Sequence, residues 1–288
     1  MQYRVPKKIA MFNSFAGYGR CSTTEALPII SAMKVQVCPV PTAIFSNHTG
    51  FSSHYCHDFT DYMADYLKQW EKLDLKFDGV YCGFLGEIRQ LPIVSQFLAH
   101  QRSKGCSMIL VDPAMGDHGK FYRTITMEHC NAMKELIRLA DIITPNITEA
   151  CLLTDTPYQD DDWHPEELAQ ICRQLHSAGP SKIVITGLHS KSPEKGIDSF
   201  INYTSIRLED NRLITASSVS PAAGPSRHGT GDIFASILAA DAVKGNDFTA
   251  SVQKAADFIS TCIRASQELD IPETDGVCFE NFLDQLDS

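Results

Sequence analysis

The run Ser107-Met108-Ile109-Leu110-Val111-Asp112 decides the fold that this sequence predicts. Its uninterrupted apolar stretch is typical of a strand buried on both faces, as strands of a parallel sheet are. Similar runs recur along the chain, separated by segments long enough for helices. The predicted strands are 8–13, 35–40, 79–82, 107–111, 142–144 and 182–186, and the predicted helices between them are 22–33, 58–73, 89–104, 126–140 and 165–178.

This alternation predicts an α/β fold in three layers, with a doubly wound, mostly parallel sheet flanked by helices. The pattern changes after Thr186. Residues 197–204 and 212–216 are predicted as antiparallel strands at one edge of the sheet, and 232–243 and 248–267 as closing helices. An acidic tail from Asp270 has the apolar spacing of a short amphipathic helix. We expect residues 1–288 to form one domain.

The composition excludes several classes of protein. A net charge of -10 argues against a nucleic-acid surface, and no apolar run approaches the ~20 residues that span a bilayer. The ten cysteines include no Cys-x-x-Cys pair, so neither a structural zinc site nor a thioredoxin-type motif is predicted. Scattered thiols and the absence of a signal-like N-terminus lead us to expect a cytoplasmic protein.

The run His228-Gly229-Thr230-Gly231-Asp232 precedes an apolar segment that is predicted to be helical. Two glycines and a helix N-terminus would direct backbone N–H groups at one point, which suits an anion such as a phosphate. An aspartate there would repel a phosphate unless it takes a proton from an attacking hydroxyl. The alternative is a plain turn in which the aspartate caps the helix.

Ligands of such sheets bind beyond the carboxyl ends of the strands, so the residues there are the other site candidates. Ser14 follows the first strand and could hydrogen-bond a substrate, although the same loop could be only a turn. Phe45, His48 and Thr49 follow the second strand and would suit a pocket for a flat ring, and a loop of hydrogen-bonding turn residues is the alternative. Phe84 follows the third, where a buried aromatic could equally be part of the core.

The next two strand ends offer carboxylates. Asp112 and Asp117 would suit a hard cation that is also bound by water and phosphate oxygens, and an Asp-Pro turn without a ligand is the alternative. Lys120 and Arg123 stand in a loop that could fold over phosphates. At the next strand end Glu149 could hold Mg²⁺ through water.

Asn146 and Glu149 stand three apart and could instead form a capping box at the start of a helix. Thr186 and Gly187, after the sixth strand, would suit the phosphates of a nucleotide.

These runs occur in the same order in the ribokinase-like kinases, and the sequence resembles that superfamily over roughly residues 8–266. Within it, Ser46-Asn47-His48-Thr49-Gly50 and the segment around Ser14 are similar to the pyridoxal kinase family. The resemblance implies an ATP-dependent kinase of vitamin B6 salvage, which phosphorylates the 5'-hydroxymethyl group of pyridoxal, pyridoxamine or pyridoxine. It also implies a homodimer.

The resemblance further implies a role for each candidate residue. Asp232 would be the general base, and Gly229, Thr230 and Gly231 the anion hole. Ser14 and Thr49 would hydrogen-bond the pyridine ring, Phe45 and Phe84 would flank it, and His48 would lie nearby. The remaining candidates would organise ATP with Mg²⁺ and K⁺, or contact its phosphates: Asp112, Asp117, Lys120, Asn146, Glu149, Thr186 and Gly187.

Two departures from the family pattern concern the substrate. The family often has Tyr where this chain has Phe84, and the loop 15–20 differs from that of better-known members. Other functions therefore stay open. They are a hydroxymethylpyrimidine kinase or a sugar kinase of the same fold, and a non-catalytic protein that binds vitamin B6 or a nucleotide.

Overall fold

The computed structural model describes residues 5–160, 163–192, 197–221, 223–224 and 227–287. Its strands are β1 (Lys8–Ala16), β2 (Gln36–Phe45), β3 (Cys56–Asp58), β4 (Gly79–Cys82), β5 (Met108–Val111), β6 (Gly116–Asp117), β7 (Lys120–Phe121), β8 (Ile142–Ile143), β9 (Lys182–Ser192), β10 (Ile197–Arg207) and β11 (Leu213–Pro221). Its helices are α1 (Thr23–Ala32), α2 (Thr60–Lys72), α3 (Gln90–Ser103), α4 (Met127–Leu136), α5 (Ile147–Thr154), α6 (Pro165–Ala178), α7 (Thr230–Lys244) and α8 (Phe248–Glu268).

A nine-stranded sheet in the order β11-β10-β9-β8-β5-β4-β1-β2-β3 forms the middle layer. The strands from β9 to β2 pair in parallel, and β3, β10 and β11 are antiparallel at the two edges. The predicted fold class is thereby confirmed, including the antiparallel pair at the β11 edge. The sequence prediction missed the short edge strand β3 and the separate hairpin of β6 and β7.

Alternation along the buried strands divides the core into two layers. In β1, Ala10 and Phe12 face the cluster that packs against α2 to α6, whereas Ile9 and Met11 face α1, α7 and α8. Every other residue of a strand points to the same face. Asn13, two residues after Met11, therefore falls on the face that α7 covers.

Most helix boundaries agree closely with the sequence prediction, and two segments differ. The segment predicted as helix 126–140 is α4 followed by a 3-10 turn, Ile137–Leu139. The acidic tail forms two 3-10 segments, Glu273–Asp275 and Glu280–Leu286, rather than an α-helix. Within the described residues, no helix is long and apolar enough to cross a membrane.

Candidate active site

Asp232 stands at the beginning of α7, where the predicted anion loop meets the helix. Gly229 is the N-cap residue with φ 88°, a left-handed backbone conformation that glycine adopts without strain. The first helical hydrogen bond runs from the Ile233 N–H to the Gly229 carbonyl. The N–H groups of Thr230, Gly231 and Asp232 precede it and need no acceptor within the helix. The helix dipole adds positive potential at the same point.

Two donors, one in β1 and one just before α1, hold the Asp232 carboxylate. The Asn13 side-chain amide donates to Oδ1 at 3.0 Å, and the Ser22 backbone N–H donates to Oδ2 at 2.8 Å. Burial raises the pKa of Asp232 above its usual value, and these two hydrogen bonds oppose the rise. The sequence prediction did not include Asn13 or the Ser22 backbone. The alternating pattern of β1 gave a signal for Asn13, since it shares a face with Met11.

Ser22 has a strained backbone. Its φ is 54° and its ψ is -131°, a region that residues with a Cβ rarely adopt. Although it stands at the N-cap position of α1, its side chain makes no capping bond. The strain is stored where the backbone N–H binds Asp232, and strained residues often occur at functional sites.

Glu25 lies directly beneath Gly229. Its side chain is fully buried, and a Cβ on Gly229 would collide with its Oε2. Neither carboxylate oxygen has a hydrogen-bond partner among the described residues. Burial, followed by the charge of Asp232, raises the pKa of Glu25 well above its usual value. A protonated Glu25 therefore fits beside a loop that is suited to phosphate, whereas an ionised one would repel the phosphate.

The residues predicted to surround a ring line one side of the site. The Phe45 and Phe84 rings lie 6.5 Å apart between centroids and form a tilted aromatic pair. The Phe84 carbonyl accepts a hydrogen bond from the Thr42 hydroxyl at 2.8 Å. Ser14 is buried, and its hydroxyl donates to the Ser22 hydroxyl at 2.9 Å. Contact of Ser14 with a substrate remains a prediction.

His48 is engaged by protein groups at both ring nitrogens. Its Nε2 lies 2.6 Å from the Thr274 carbonyl, and its Nδ1 lies 3.1 Å from the Gly50 N–H. Nε2 must therefore donate and Nδ1 must accept, which fixes one neutral tautomer. The His48 ring forms a tilted pair with the His228 ring, with centroids 4.5 Å apart, whereas Thr49 is exposed. The sequence prediction quoted His228 only as the start of the glycine run.

Residues 272–276, here called the C-terminal strap, connect three loops of the site. The strap accepts hydrogen bonds from His48, from the Arg20 backbone and guanidinium at Asp275, and from Arg227 at Pro272 and Gly276. The Tyr18 hydroxyl donates to the Asp275 carboxylate at 3.1 Å. Nothing in the sequence pattern of the tail predicted these contacts.

Asp112 and Glu149 are two acidic groups at the strand ends predicted for a nucleotide. Asp112 accepts from the Thr144 hydroxyl at 2.7 Å. Burial, with a further contribution from the charge of Asp232, raises the pKa of Asp112 to about 7. Burial and then the charge of Asp112 raise the pKa of Glu149 well above its usual value.

Asn146 and Glu149 form the capping box that the sequence left open as an alternative. The Asn146 side chain accepts from the Glu149 N–H, and Glu149 Oε2 accepts from the Asn146 N–H, each at 2.9 Å. Glu149 Oε1 accepts from the Met115 N–H at 3.0 Å. Contact of Glu149 with Mg²⁺ remains a prediction.

Asp117 and Lys120 face each other across the β6–β7 hairpin and are exposed. The hairpin is held against α5, because the Gly119 N–H donates to the Thr148 hydroxyl at 3.0 Å and the Asn146 amide donates to the Gly116 carbonyl at 2.8 Å. Arg123 is exposed just after the hairpin.

Thr186 and Gly187 lie beside Asn146. The Thr186 N–H donates to the Pro145 carbonyl at 3.0 Å, and Thr186 forms a parallel bridge with Asn146. The residues predicted to bind the nucleotide after β8 and in β9 are thus brought together at the start of α5.

Within the described part of the chain, no three His, Cys, Asp or Glu side chains are grouped to hold a metal by themselves. The cation expected from the sequence would need phosphate and water ligands as well.

The arrangement places a partly buried carboxylate, a helix N-terminus and an acidic cluster at the carboxyl ends of the parallel strands. Residues 27–276 match the family described as phosphomethylpyrimidine kinase. The chain belongs to this family. The resemblance to these kinases that the motifs indicated is thereby confirmed.

Members of the family with different substrates are similar to this chain. A pyridoxal kinase of Arabidopsis thaliana is 29% identical over 63% of this chain and 58% of its own length, so the match spans less than two thirds of that enzyme. A hydroxymethylpyrimidine/phosphomethylpyrimidine kinase of Haemophilus influenzae is 31% identical over 67% of each chain.

A crystal structure from Bacteroides thetaiotaomicron, assigned as a phosphomethylpyrimidine kinase and crystallised with pyridoxal, superposes with a TM-score of 0.88. Its sequence is 36% identical to this chain, and the match covers 98% of this chain and 96% of that one. This chain therefore shares its fold almost end to end with that protein.

Proposed function

We propose that this protein is an ATP-dependent kinase that phosphorylates the 5'-hydroxymethyl group of pyridoxal, with pyridoxamine and pyridoxine as related substrates. The observation that carries the proposal is Asp232, a carboxylate fixed by two donors at the N-terminus of a long helix. A protein that only binds a phosphate gains nothing from a carboxylate there, whereas a kinase needs a base at that place.

The reaction is an in-line transfer of the γ-phosphoryl group of ATP to the hydroxyl oxygen. Asp232 takes the proton of the hydroxyl as the new O–P bond forms. Its raised pKa makes it a better base than a free aspartate, because basicity rises with pKa. Asn13 and Ser22 hold both oxygens, so the carboxylate needs no reorientation during the reaction.

The N-terminus of α7 stabilises the charge that moves. The N–H groups of Thr230 and Gly231 lie in the first turn, before the first intrahelical hydrogen bond. They are already oriented when the phosphoryl group arrives, which lowers the barrier without a cost of reorganisation.

The nucleotide side of the site fits Mg²⁺–ATP. Glu149 is buried and Asp112 is partly buried, both have raised pKa values, and a divalent cation nearby would favour their ionised forms. Mg²⁺ would neutralise the phosphates and orient them for transfer. Asn146, Thr186 and Gly187 lie beside these carboxyls, and Lys120 and Asp117 stand on the hairpin next to α5.

A second candidate substrate is hydroxymethylpyrimidine. It is favoured by the family description and by the Haemophilus influenzae relative. The Phe45–Phe84 pair suits any flat heteroaromatic ring, so it does not separate a pyridine from a pyrimidine. The Bacteroides thetaiotaomicron structure with pyridoxal supports the pyridine as the first choice.

A substrate panel tests the proposal directly. ADP release is measured with pyridoxal, pyridoxamine, pyridoxine, hydroxymethylpyrimidine and ribose, and kcat/KM is compared. We expect the highest value with pyridoxal or another B6 vitamer. A higher kcat/KM for hydroxymethylpyrimidine would transfer the assignment to that substrate, and no phosphorylation of any alcohol would indicate a non-catalytic binding protein.

The variant Asp232→Asn tests the base. The amide cannot accept the proton, so we expect kcat to fall by at least ~10²-fold while ATP binding is retained. Asp241→Asn, on the same helix and remote from the loop, is the matched control and should keep its turnover. Near-normal turnover of Asp232→Asn would refute the role of Asp232.

A further inference from the structure

We propose that Asn13 is a positioning residue that fixes the Asp232 carboxylate and connects it to the loop carrying Phe84. This inference rests on the proposed function, because it gives Asn13 a task in that reaction. Asn13 lies within β1 and is fully buried. It is separated from Asp232 by 219 residues in sequence, yet their side chains are hydrogen-bonded.

The hydrogen bonds determine the orientation of the Asn13 amide. Its Oδ1 accepts from the Ser14 N–H at 2.9 Å and from the Phe84 N–H at 3.2 Å. Both groups are donors only, so the oxygen must face them and the NH₂ group must face Asp232. An ionised carboxylate only accepts, so the amide donates to it at 3.0 Å. The Asn13 side chain thus hydrogen-bonds both to the Asp232 carboxylate and to the backbone of Phe84.

The chain around Asn13 is shaped to admit this amide. A Cβ on Gly83 would lie 2.7 Å from the Asn13 Nδ2, which is too close for any side chain. The register between β1 and β2 also shifts between Asn13 and Phe15. Such an irregularity in a strand redirects side chains next to active sites. Both features permit the donor geometry toward Asp232.

Asn13 and Thr42 together hold the backbone of Phe84, one at its N–H group and the other at its carbonyl. The Phe84 N–H goes to Asn13 and its carbonyl accepts from the Thr42 hydroxyl. A movement of this loop would therefore pull on the group that orients the base. Binding of a ring against Phe84 and alignment of Asp232 are mechanically connected through a single amide.

Two variants separate the donor from the acceptor. Asn13→Asp keeps an oxygen for the Ser14 and Phe84 N–H groups and places a second carboxyl against Asp232. Because two adjacent carboxyls cannot both ionise easily, one pKa of the pair should rise by one unit or more. Asn13→Ala removes the donor to Asp232, so the pKa of Asp232 should rise and the acidic limb of the kcat/KM profile should move to higher pH.

The two variants should also differ in KM. Asn13→Ala frees the Phe84 N–H as well, so we expect a higher KM for the alcohol substrate. Asn13→Asp should leave that KM unchanged. Asn246→Ala breaks another Asn–Asp hydrogen bond, from Asn246 to Asp241 at 2.7 Å, and serves as the control whose profile should not move.

A direct carboxyl titration decides the proposal without activity. The protein is labelled with ¹³C in its aspartate carboxyls, the Asp232 signal is assigned with Asp232→Asn, and wild type and both Asn13 variants are titrated without metal. A raised Asp232 pKa in folded Asn13→Ala supports the positioning role. An Asp232 titration identical to wild type in the folded variants overturns it. If the wild type phosphorylates no alcohol, the proposed function fails, and this titration still decides the placement of Asn13.

Discussion

At the scale of single residues, Glu25 is a group whose burial is costly. Its carboxyl is buried without a partner among the described residues, and burying an unpaired charge is strongly unfavourable. It therefore keeps its proton in the folded protein, as its raised pKa indicates. In the unfolded chain it loses that proton near its ordinary value of 4.5.

The variant Glu25→Gln tests whether Glu25 is protonated in the folded protein. A group whose pKa is raised on folding stabilises the protein fully below its unfolded pKa, and this contribution is lost as pH rises through the folded pKa. The free energy of unfolding of wild type should therefore fall relative to Glu25→Gln as pH rises above 4.5, by up to about 1.4 kcal/mol per pH unit. Urea unfolding at a series of pH values measures the difference.

The exposed Glu128, in the first turn of α4, provides the control for this series. Glu128→Gln should differ from wild type by an amount that hardly changes over the same pH range. A pH-independent difference between wild type and Glu25→Gln would mean that Glu25 is ionised in the folded protein.

At the scale of elements, the C-terminal strap connects loops from opposite ends of the chain. Arg227 is buried and donates to the Pro272 and Gly276 carbonyls just before the anion loop. A guanidinium that donates to two carbonyls holds them at a fixed separation. The strap therefore helps to determine where the loop after β1, His48 and the start of α7 lie relative to one another.

Arg227→Ala tests the strap, with Arg207→Ala as its matched control. Arg207 also donates to two carbonyls, those of His176 and Gly179, but it lies far from the site. We expect each variant to lose about 2–4 kcal/mol in the free energy of unfolding, because charged donors are removed from carbonyls. Only Arg227→Ala should also raise KM for the alcohol. An equal change of KM in both variants would show that the strap has no specific role in substrate binding.

At the scale of the whole molecule, ligand binding at the carboxyl ends of the parallel strands should stabilise the entire fold. The site joins the ends of β1, β4, β5, β8 and β9 to the start of α7. A ligand that binds only the folded state at 100 times its Kd adds about 2.7 kcal/mol. For a chain of 288 residues we expect Mg²⁺–ATP to raise Tm by roughly 4–5 °C.

Asp232→Asn should keep this rise in Tm, because the base does not hold the nucleotide. Adenosine, which lacks phosphates, should give a much smaller rise. Calorimetric scans with each ligand make the comparison, and no rise with millimolar Mg²⁺–ATP would contradict the proposed nucleotide site.

The sequence predicted the features that depend on local pattern. Apolar runs gave the parallel strands, and the glycine run with Asp232 gave the start of α7. Asn146 and Glu149 gave a capping box as one of two alternatives. Contacts between distant segments were missed, namely Asn13 with Asp232, Glu25 beneath Gly229, and the strap with His48. No spacing in a single sequence encodes which strand end lies opposite which helix.

The position of β1 has a practical consequence for recombinant fragments. The family match begins at residue 27, and residues 8–16 form the strand between β2 and β4. A fragment trimmed to the matched range would lose this inner strand, together with Asn13, Ser22 and Glu25. Two neighbouring strands would be left with unpaired edges, which are templates for aggregation. Such a fragment should be recovered as insoluble protein, and its inactivity would say nothing about the function of the full chain.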